Sequence, residues 1–297
     1  MDKAKILFTK EISSEKVLEM YKLIGKELTG NVAVKVHTGE KGNINFLHPD
    51  FWKPTIDFVG GRVVETNTAY GDARGGVRDH TDSHRKLIEY HGWSQYYDVD
   101  IMDEDGPDVR FEIPEGEILK ENFVGKNLLN YDSMLVLAHF KGHPAGGFGG
   151  ALKQLAIGCA SSKGKALIHS GGVTDDHMEC WNNLLPPGRF QIAMADAAAT
   201  VARYLDGNAV YINVMKNLSV DCDCLRYAVP PCMEDIGILA STDPLAIDKA
   251  CIDLIYASDD PGRDTFLERV HSRGGEAIFD EAERLGIGSL EYELVEV

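Results

Sequence analysis

The sequence predicts an α/β protein: a doubly wound, largely parallel sheet with helices on both faces. Three observations carry this expectation. Apolar runs of strand length alternate with segments of helical spacing along the whole chain. Residues 134–138 are an unbroken apolar run, the pattern of a strand buried on both faces. Several such runs end in side chains suited to ligand contact, and open α/β sheets bind ligands beyond the carboxyl ends of their strands.

Taken in order, residues 5–9 read as a short strand and 13–28 as a helix capped by Ser13 or Ser14, with Val17, Met20, Tyr21, Ile24 and Leu28 on its apolar face. Residues 31–36 form a second strand ending at His37. The loop through His48 is too polar and glycine-rich to be core, and its Lys41 and Asn43 are suited to ligand contact. Residues 62–66 are a third strand, delivering Asn67, Thr68 and Tyr70 to its end. A loop over 72–79 carries Asp72, Arg74 and Arg78, and a helix over 81–91 stops at Gly92. Residues 96–102 and 109–113 look like strands joined by turn chemistry from Asp103 to Asp108, and 115–130 is mixed.

The strand at 134–138 runs into His139, Lys141 and His143, then a glycine-rich bend, then helical spacing through Lys153, Cys159, Lys163 and Lys165 to His169. Residues 190–205 form a helix on Phe190, Met194, Ala197 and Val201, and 209–214 a strand. Residues 221–232 are irregular and 236–240 are a strand. Asp243 caps a helix with Pro244 at its first position. A helix over 276–285 and a strand over 291–295 close the chain. The only boundary signal, the polar stretch 127–132, divides the chain into α/β lobes at 1–130 and 131–297 unless one domain runs through it.

The 297 residues carry 30 Lys+Arg against 47 Asp+Glu, a net charge of −17. That balance excludes sequence-independent binding to nucleic acid or anionic membrane. No uncharged apolar run approaches the ~20 residues of a membrane span, and the first residues lack the apolar core of a signal peptide, so the expected location is the cytoplasm. The six cysteines are expected to be reduced thiols or ligands and not a disulfide framework.

Four strand ends, at His37, Asn67, His139 and the Ser241–Asp243 step, are expected to converge on one edge. Cys222 and Cys224 stand one residue apart between two acids, and soft thiolates favour iron–sulfur, zinc or copper(I). Exposed reduced cysteines or an incidental redox pair are the alternatives. His139 and His143 lie on a bend, because Gly142 and Pro144 interrupt any helix. Their imidazoles would ligate metal, move protons or bond backbone carbonyls. His37 is the other candidate for proton transfer. Cys159 follows the helical face of Leu152 and Leu155, as core packing or as a further ligand. Lys141, Lys153 and the amides at Gly147, Gly149 and Gly150, ahead of a helix start, suit a small anion. The run Gly147-Phe-Gly149-Gly-Ala-Leu152 lacks the third glycine of a dinucleotide fingerprint. The run from Gly158 to Lys165 is no Walker loop, so no NAD or ATP motif is present.

His139-Phe-Lys141-Gly-His143, Gly147-Phe-Gly-Gly-Ala-Leu-Lys153, Gly158-Cys-Ala-Ser and Gly164-Lys165 together resemble the family catalogued as domain of unknown function 362. So do Asp221-Cys-Asp-Cys224, the run from Asp235 to Asp248, the closing run from Leu285 to Leu294 and the early loop from His37 to Asn43. Family members are often labelled iron–sulfur proteins, a label that reflects a ferredoxin-like insert with C-x-x-C-x-x-C spacing after the position of His169. Here residues 171–189 hold only Cys180, so a four-cysteine cluster cannot be assembled there.

The expectation is therefore a metal-binding redox enzyme acting on a small anionic molecule. Cys222, Cys224, His143 and Cys159 would hold a metal ion or iron–sulfur cluster. The alternative is a non-catalytic metal or cofactor carrier, or a subunit whose ferredoxin-like partner replaces the missing insert.

Overall fold

The computed structural model describes residues 3–71, 74–104 and 108–297, so the expected loop and turn residues Asp72, Ala73, Asp105, Gly106 and Pro107 lie outside the described residues. The chain begins with β1 (Ala4–Thr9), α1 (Ser14–Ile24), β2 (Val32–Lys35), α2 (Pro49–Val59), β3 (Arg62–Glu65), α3 (Thr81–Tyr90) and β4 (Asp100–Ile101). The hairpin β5 (Asp108–Glu112) and β6 (Glu121–Gly125) leads to β7 (Ser133–His139) and to a small hairpin, β8 (Lys141–His143) and β9 (Gly147–Gly149). Then follow α4 (Ala151–Ala156), α5 (Ser162–Ser170), α6 (Arg189–Leu205), β10 (Ala209–Met215), β11 (Gly237–Ser241), α7 (Pro244–Tyr256), α8 (Arg263–Ser272), α9 (Ala277–Arg284) and β12 (Tyr292–Glu296).

One eight-stranded sheet has the order β12-β1-β11-β10-β7-β2-β3-β4. Every neighbouring pair is parallel except those made by β11, which runs against both β1 and β10. The expected α/β class and largely parallel sheet are thus observed. Strands from both sides of residue 130 interleave in the same sheet, because β7 pairs with β2 and β11 with β1.

The period-2 alternation of β7 separates two cores. Leu135 and Leu137 face a cluster with Val17 and Met20 of α1, Trp52 and Ile56 of α2, and Ile88 of α3. Met134, Val136 and Ala138 face the opposite cluster, with Leu152 of α4, Ala197 and Val201 of α6, Ile247 of α7 and Phe279 of α9. Ser13 caps α1 through its side chain, which accepts from Lys16 N at 3.1 Å, and Gly25 ends that helix in the left-handed region at φ 68°.

The direction of β11 corrects one expected strand end. Its Ser241 and Asp243 lie at the opposite edge from His37 and His139, where Asp243 accepts from Leu245 N and Ala246 N and starts α7. The strand expected over 96–102 reduces to β4, because residues 93–95 already form a helical turn. Among the described residues no helix is long and apolar enough to cross a membrane.

Candidate functional site

The carboxyl ends of β2, β3 and β7 open onto a cavity of about 280 Å³ whose lining includes His37, Thr66 and His139. Its charge is the opposite of the chain's. Lys35, Arg74, Arg78, Lys141, Lys153 and Lys165 line it, against Glu65 as the single carboxylate among the described lining residues. Three of these cations are paired: Lys35 with Glu65 at 2.8 Å, Arg78 with Glu40 at 3.1 Å and Lys141 with Asp223 at 3.1 Å. Among the described residues Arg74, Lys153 and Lys165 have no carboxylate partner, so the cavity keeps a cationic excess. The lining also has an apolar and aromatic part, with Ala69, Tyr70, Ile157, Trp181, Phe190 and Leu225. There the His169 ring stacks on Phe190 with centroids 4.7 Å apart, and Arg74 lies over Trp181 at 4.7 Å.

The paired cations belong to a buried ladder across the sheet edge. Glu65 accepts from Lys35, from the backbone of Thr38 and Thr66, and from Arg78 Nη1. Burial opposes its charge, but Lys35, His37 and Arg78 hold its carboxyl well below the usual range. Glu40 engages Arg78 Nε, leaving Arg78 Nη2 as a buried donor with no partner among the described residues. His37 Nδ1 accepts from Gly39 N at 3.0 Å, so in the neutral ring the proton sits on Nε2. Burial, helped by Arg78, pushes this imidazole well below its ordinary value and keeps it neutral.

On the other wall, Cys222 and Cys224 follow β10 and meet His143 of β8. One donor atom from each lies within 4.8 Å of the other two, a His/Cys group of metal-ligand dimensions. Cys224 Sγ is 3.6 Å from His143 Nε2, and Cys224 N donates to Cys222 Sγ at 3.3 Å. Burial alone would raise the Cys222 thiol, but the hydrogen bond from Cys224 and the charges of Lys153, His143 and Lys141 hold it well below a thiol's ordinary value. The hydrogen bond to Cys222, with burial, pushes Cys224 up. Of the pair, Cys222 is therefore the thiol that ionises first.

This arrangement depends on close backbone approach. A Cβ on Gly142 would lie 2.6 Å from Val220 Cα, so only glycine lets β8 lie against the cysteine loop. Asn43 clamps the same loop, donating to Cys222 O at 3.3 Å and Leu225 O at 2.9 Å. Tyr70 donates to Cys224 O.

Several sequence-derived candidates take other places. Asn43 holds the cysteine loop instead of a ligand, and the exposed Lys41 is outside the cavity lining. Gly149 and Gly150 line the cavity, but Gly147 faces Gly275 and Val270. The amino end of α4 is not a free anion site, because Asp248 of α7 already accepts from Ala151 N at 2.7 Å and Leu152 N at 2.9 Å. Cys159 falls in the turn after α4 and outside the His/Cys group; burial pushes its thiol up to about 11. His139 has both nitrogens engaged, Nδ1 with Asp223 at 2.8 Å and Nε2 with Lys216 O at 2.5 Å, so of the two imidazoles expected to move protons His37 is the one that keeps a nitrogen without a hydrogen-bond partner among the described residues. Lys35, Glu65 and Arg78 were not expected as site residues, and Lys165 was expected only as part of the stretch from the strand end at His139 to His169. A lysine inside the apolar run Val-Ala-Val-Lys35-Val and a glutamate ending Val-Val-Glu65 were the available signals.

Fold and site thus define an α/β protein with a cationic cavity at the carboxyl edge of its sheet and a His/Cys group in the wall. The chain belongs to the family described as Domain of unknown function (DUF362), whose family model matches residues 32–253. No curated protein matches. Among solved structures it is similar to the lactate racemase apoprotein from Thermoanaerobacterium thermosaccharolyticum, with TM-score 0.40 and 11% identity over 70% of this chain and 50% of that one. It is also similar to a Thermotoga maritima protein, with TM-score 0.45 and 13% identity over 92% of this chain and 59% of that one. This chain spans 50% and 59% of the two structures' lengths, and likenesses at these scores carry no argument about activity.

Proposed function

We propose that this chain is a metal-dependent redox enzyme that binds a small anionic molecule in the cavity and acts on it at the Cys222–Cys224–His143 group. The observation that carries this reading is the cationic excess of Arg74, Lys153 and Lys165 inside a chain of net charge −17. In a partly enclosed site of low dielectric such an excess favours a carboxylate or phosphate far more than it would in water.

Two sulfurs and an imidazole suit a thiophilic ion, and His143 and Cys224 also line the cavity. A four-cysteine iron–sulfur cluster does not fit, since only two of the six thiols belong to the group. One feature qualifies the fit. His143 Nδ1 accepts from Gly146 N at 2.7 Å and Ala145 N at 3.2 Å, so the neutral ring carries its proton on Nε2, toward the sulfurs. A metal taking Nε2 must displace that proton. A bound metal would supply Lewis acidity beside the anion. Lys153 and Lys165 would orient the anion, Lys141 would support the thiolate, and His37 would exchange a proton through Nε2.

Anaerobic purification, elemental analysis, an ultraviolet–visible spectrum and thiol mass spectrometry test the metal. Stoichiometric metal that is lost in the Cys222→Ser/Cys224→Ser variant supports it. Metal-free protein containing a Cys222–Cys224 disulfide replaces it with dithiol chemistry at the same place. Oxalate titration followed by Trp fluorescence tests the cavity: saturable binding, weakened in Lys153→Ala, is expected, and no binding overturns the reading.

A second reading, a binding subunit for a ferredoxin-like electron donor, draws on exposed Val173, Met178 and Leu184, on the segment that carries the cavity residue Trp181. Co-purification or titration with a reduced ferredoxin separates it from the first.

A further inference from the structure

Lys165, in the first half of α5, is 5% exposed, and its side chain forms part of the cavity wall. Its neighbours fix where its protons go. Thr66 Oγ1 donates to Gly158 O at 3.0 Å, so at 2.6 Å from Lys165 Nζ the same oxygen accepts. Ala160 O, also at 2.6 Å, accepts a second proton. Two N–H bonds are thereby directed at the wall. The remaining tetrahedral position on the nitrogen has no protein partner among the described residues. A neutral amine has two protons and one lone pair, and this geometry assigns the lone pair to that free position.

Among the described residues no carboxylate lies within ion-pair distance of Nζ. Burial is the largest influence on the amine, and Lys35 and Arg78 add to it. Asp103 and Glu65 act in the other direction, and the balance brings the ammonium down to about 8. A desolvated lysine beside other cations is the usual setting of an amine that attacks carbonyl carbon.

We propose that Lys165 is a nucleophilic amine that forms an imine with a small oxo acid bound in the cavity. The proposal rests on the anion-binding reading and adds a reactive carbonyl to the anion. The acid's carboxylate lies against the unpaired cations, Lys153 first among them. Lys165 Nζ adds to the carbonyl carbon, forming a C–N bond. The carbonyl oxygen then leaves as water, taking both protons of the neutral amine, and the C–O bond is replaced by C=N. Nothing is oxidised or reduced, and no co-reactant is needed.

The test incubates the full chain at pH 7 with pyruvate and sodium cyanoborohydride, which reduces an imine to a stable carboxyethyl-lysine, followed by peptide mass mapping. Acetone serves as the uncharged carbonyl, and Lys165→Met as the variant. The expected result is one carboxyethyl group on Lys165, formed on the order of a hundredfold faster than on exposed lysines, which is the ratio of neutral amine at pH 7 for a group near 8 and one near 10.4. Acetone should label Lys165 far less. Labelling spread evenly over exposed lysines, or none at Lys165, overturns the proposal; wild-type mapping decides this even where Lys165→Met fails to fold. If oxalate binds while pyruvate leaves no adduct, the imine falls and the anion site stands. If neither binds, both fall.

Discussion

The carboxylate of Asp223 and the imidazole of His139 meet at 2.8 Å, at a position flanked in sequence by the two cysteines of the His/Cys group. Lys141 Nζ approaches the same oxygen at 3.1 Å, and Lys216 O takes the other nitrogen of the ring. The cysteine loop is therefore pinned to the end of β7 through the residue between its thiols.

Replacing Asp223 by alanine leaves two buried donors facing an empty space. The expected cost is about 3–5 kcal/mol in urea unfolding, with a gain in the alkylation rate of Cys222 and Cys224. Unchanged stability would show that the loop is held by Asn43 and Tyr70 alone.

Arg78 holds Glu40 and Glu65 together from a site that is 2% exposed. Arg78→Ala should cost about 3–5 kcal/mol for the same reason, and Arg78→Lys less, since one ammonium cannot reproduce the fork that reaches both carboxylates. Oxalate affinity should fall in both variants. A variant that keeps its stability but loses affinity would place Arg78 on the ligand directly.

Asp248 supplies a pH signature unrelated to the thiols. Burial raises its carboxyl from the ordinary 3.8 to about 6, against the hydrogen bonds from Asn213, Leu152 and Ala151. A carboxyl raised on folding favours the folded state below its free value and loses that contribution as pH climbs through the folded one. The stability difference between wild type and Asp248→Asn should thus shift by about 2 kcal/mol between pH 4 and pH 6, with wild type losing ground as pH rises. Parallel pH profiles for the two proteins would contradict the assignment.

Gly142→Ala tests the cysteine loop by itself. Its new methyl would push against the Val220 backbone, costing about 1–3 kcal/mol and loosening the contact between His143 and the thiols, while oxalate binding stays as in wild type. Gly25→Ala, whose methyl meets no neighbour, reports the cost of a left-handed glycine alone.

Much of this architecture is legible in the sequence because strand burial and helix capping are local. The apolar run ending at His139, the Ser13 and Asp243 caps and the long alanine-rich face of α6 each leave a periodic or positional signal. Helix α2 leaves a poor one, since Pro54 stands inside it, yet burial of Trp52 and Ile56 holds it in place. Helix α8 is polar apart from Phe266, Leu267 and Val270, so its spacing is thin.

The site divides in the same way. Cys222, Cys224 and His143 belong to residue types that announce chemistry, whereas Arg78 and Lys165 resemble ordinary surface cations until the fold buries them. The occupied amino end of α4 was beyond reach, because Asp248 lies nearly a hundred residues further on. The reversed direction of β11 was equally so, since an apolar run carries no arrow.

That reversal also governs how the chain is assembled on the ribosome. β1 is synthesised first, yet both strands that pair with it, β11 and β12, come near the end: Leu7 waits for Ala240 and Ile6 for Leu294. Contacts so distant in sequence form slowly, and until they do the apolar Ile6, Leu7 and Phe8 remain an open edge on the nascent polypeptide. Truncation before β11 should therefore yield a chain that aggregates or recruits chaperones, even with β2, β3 and β7 already in place.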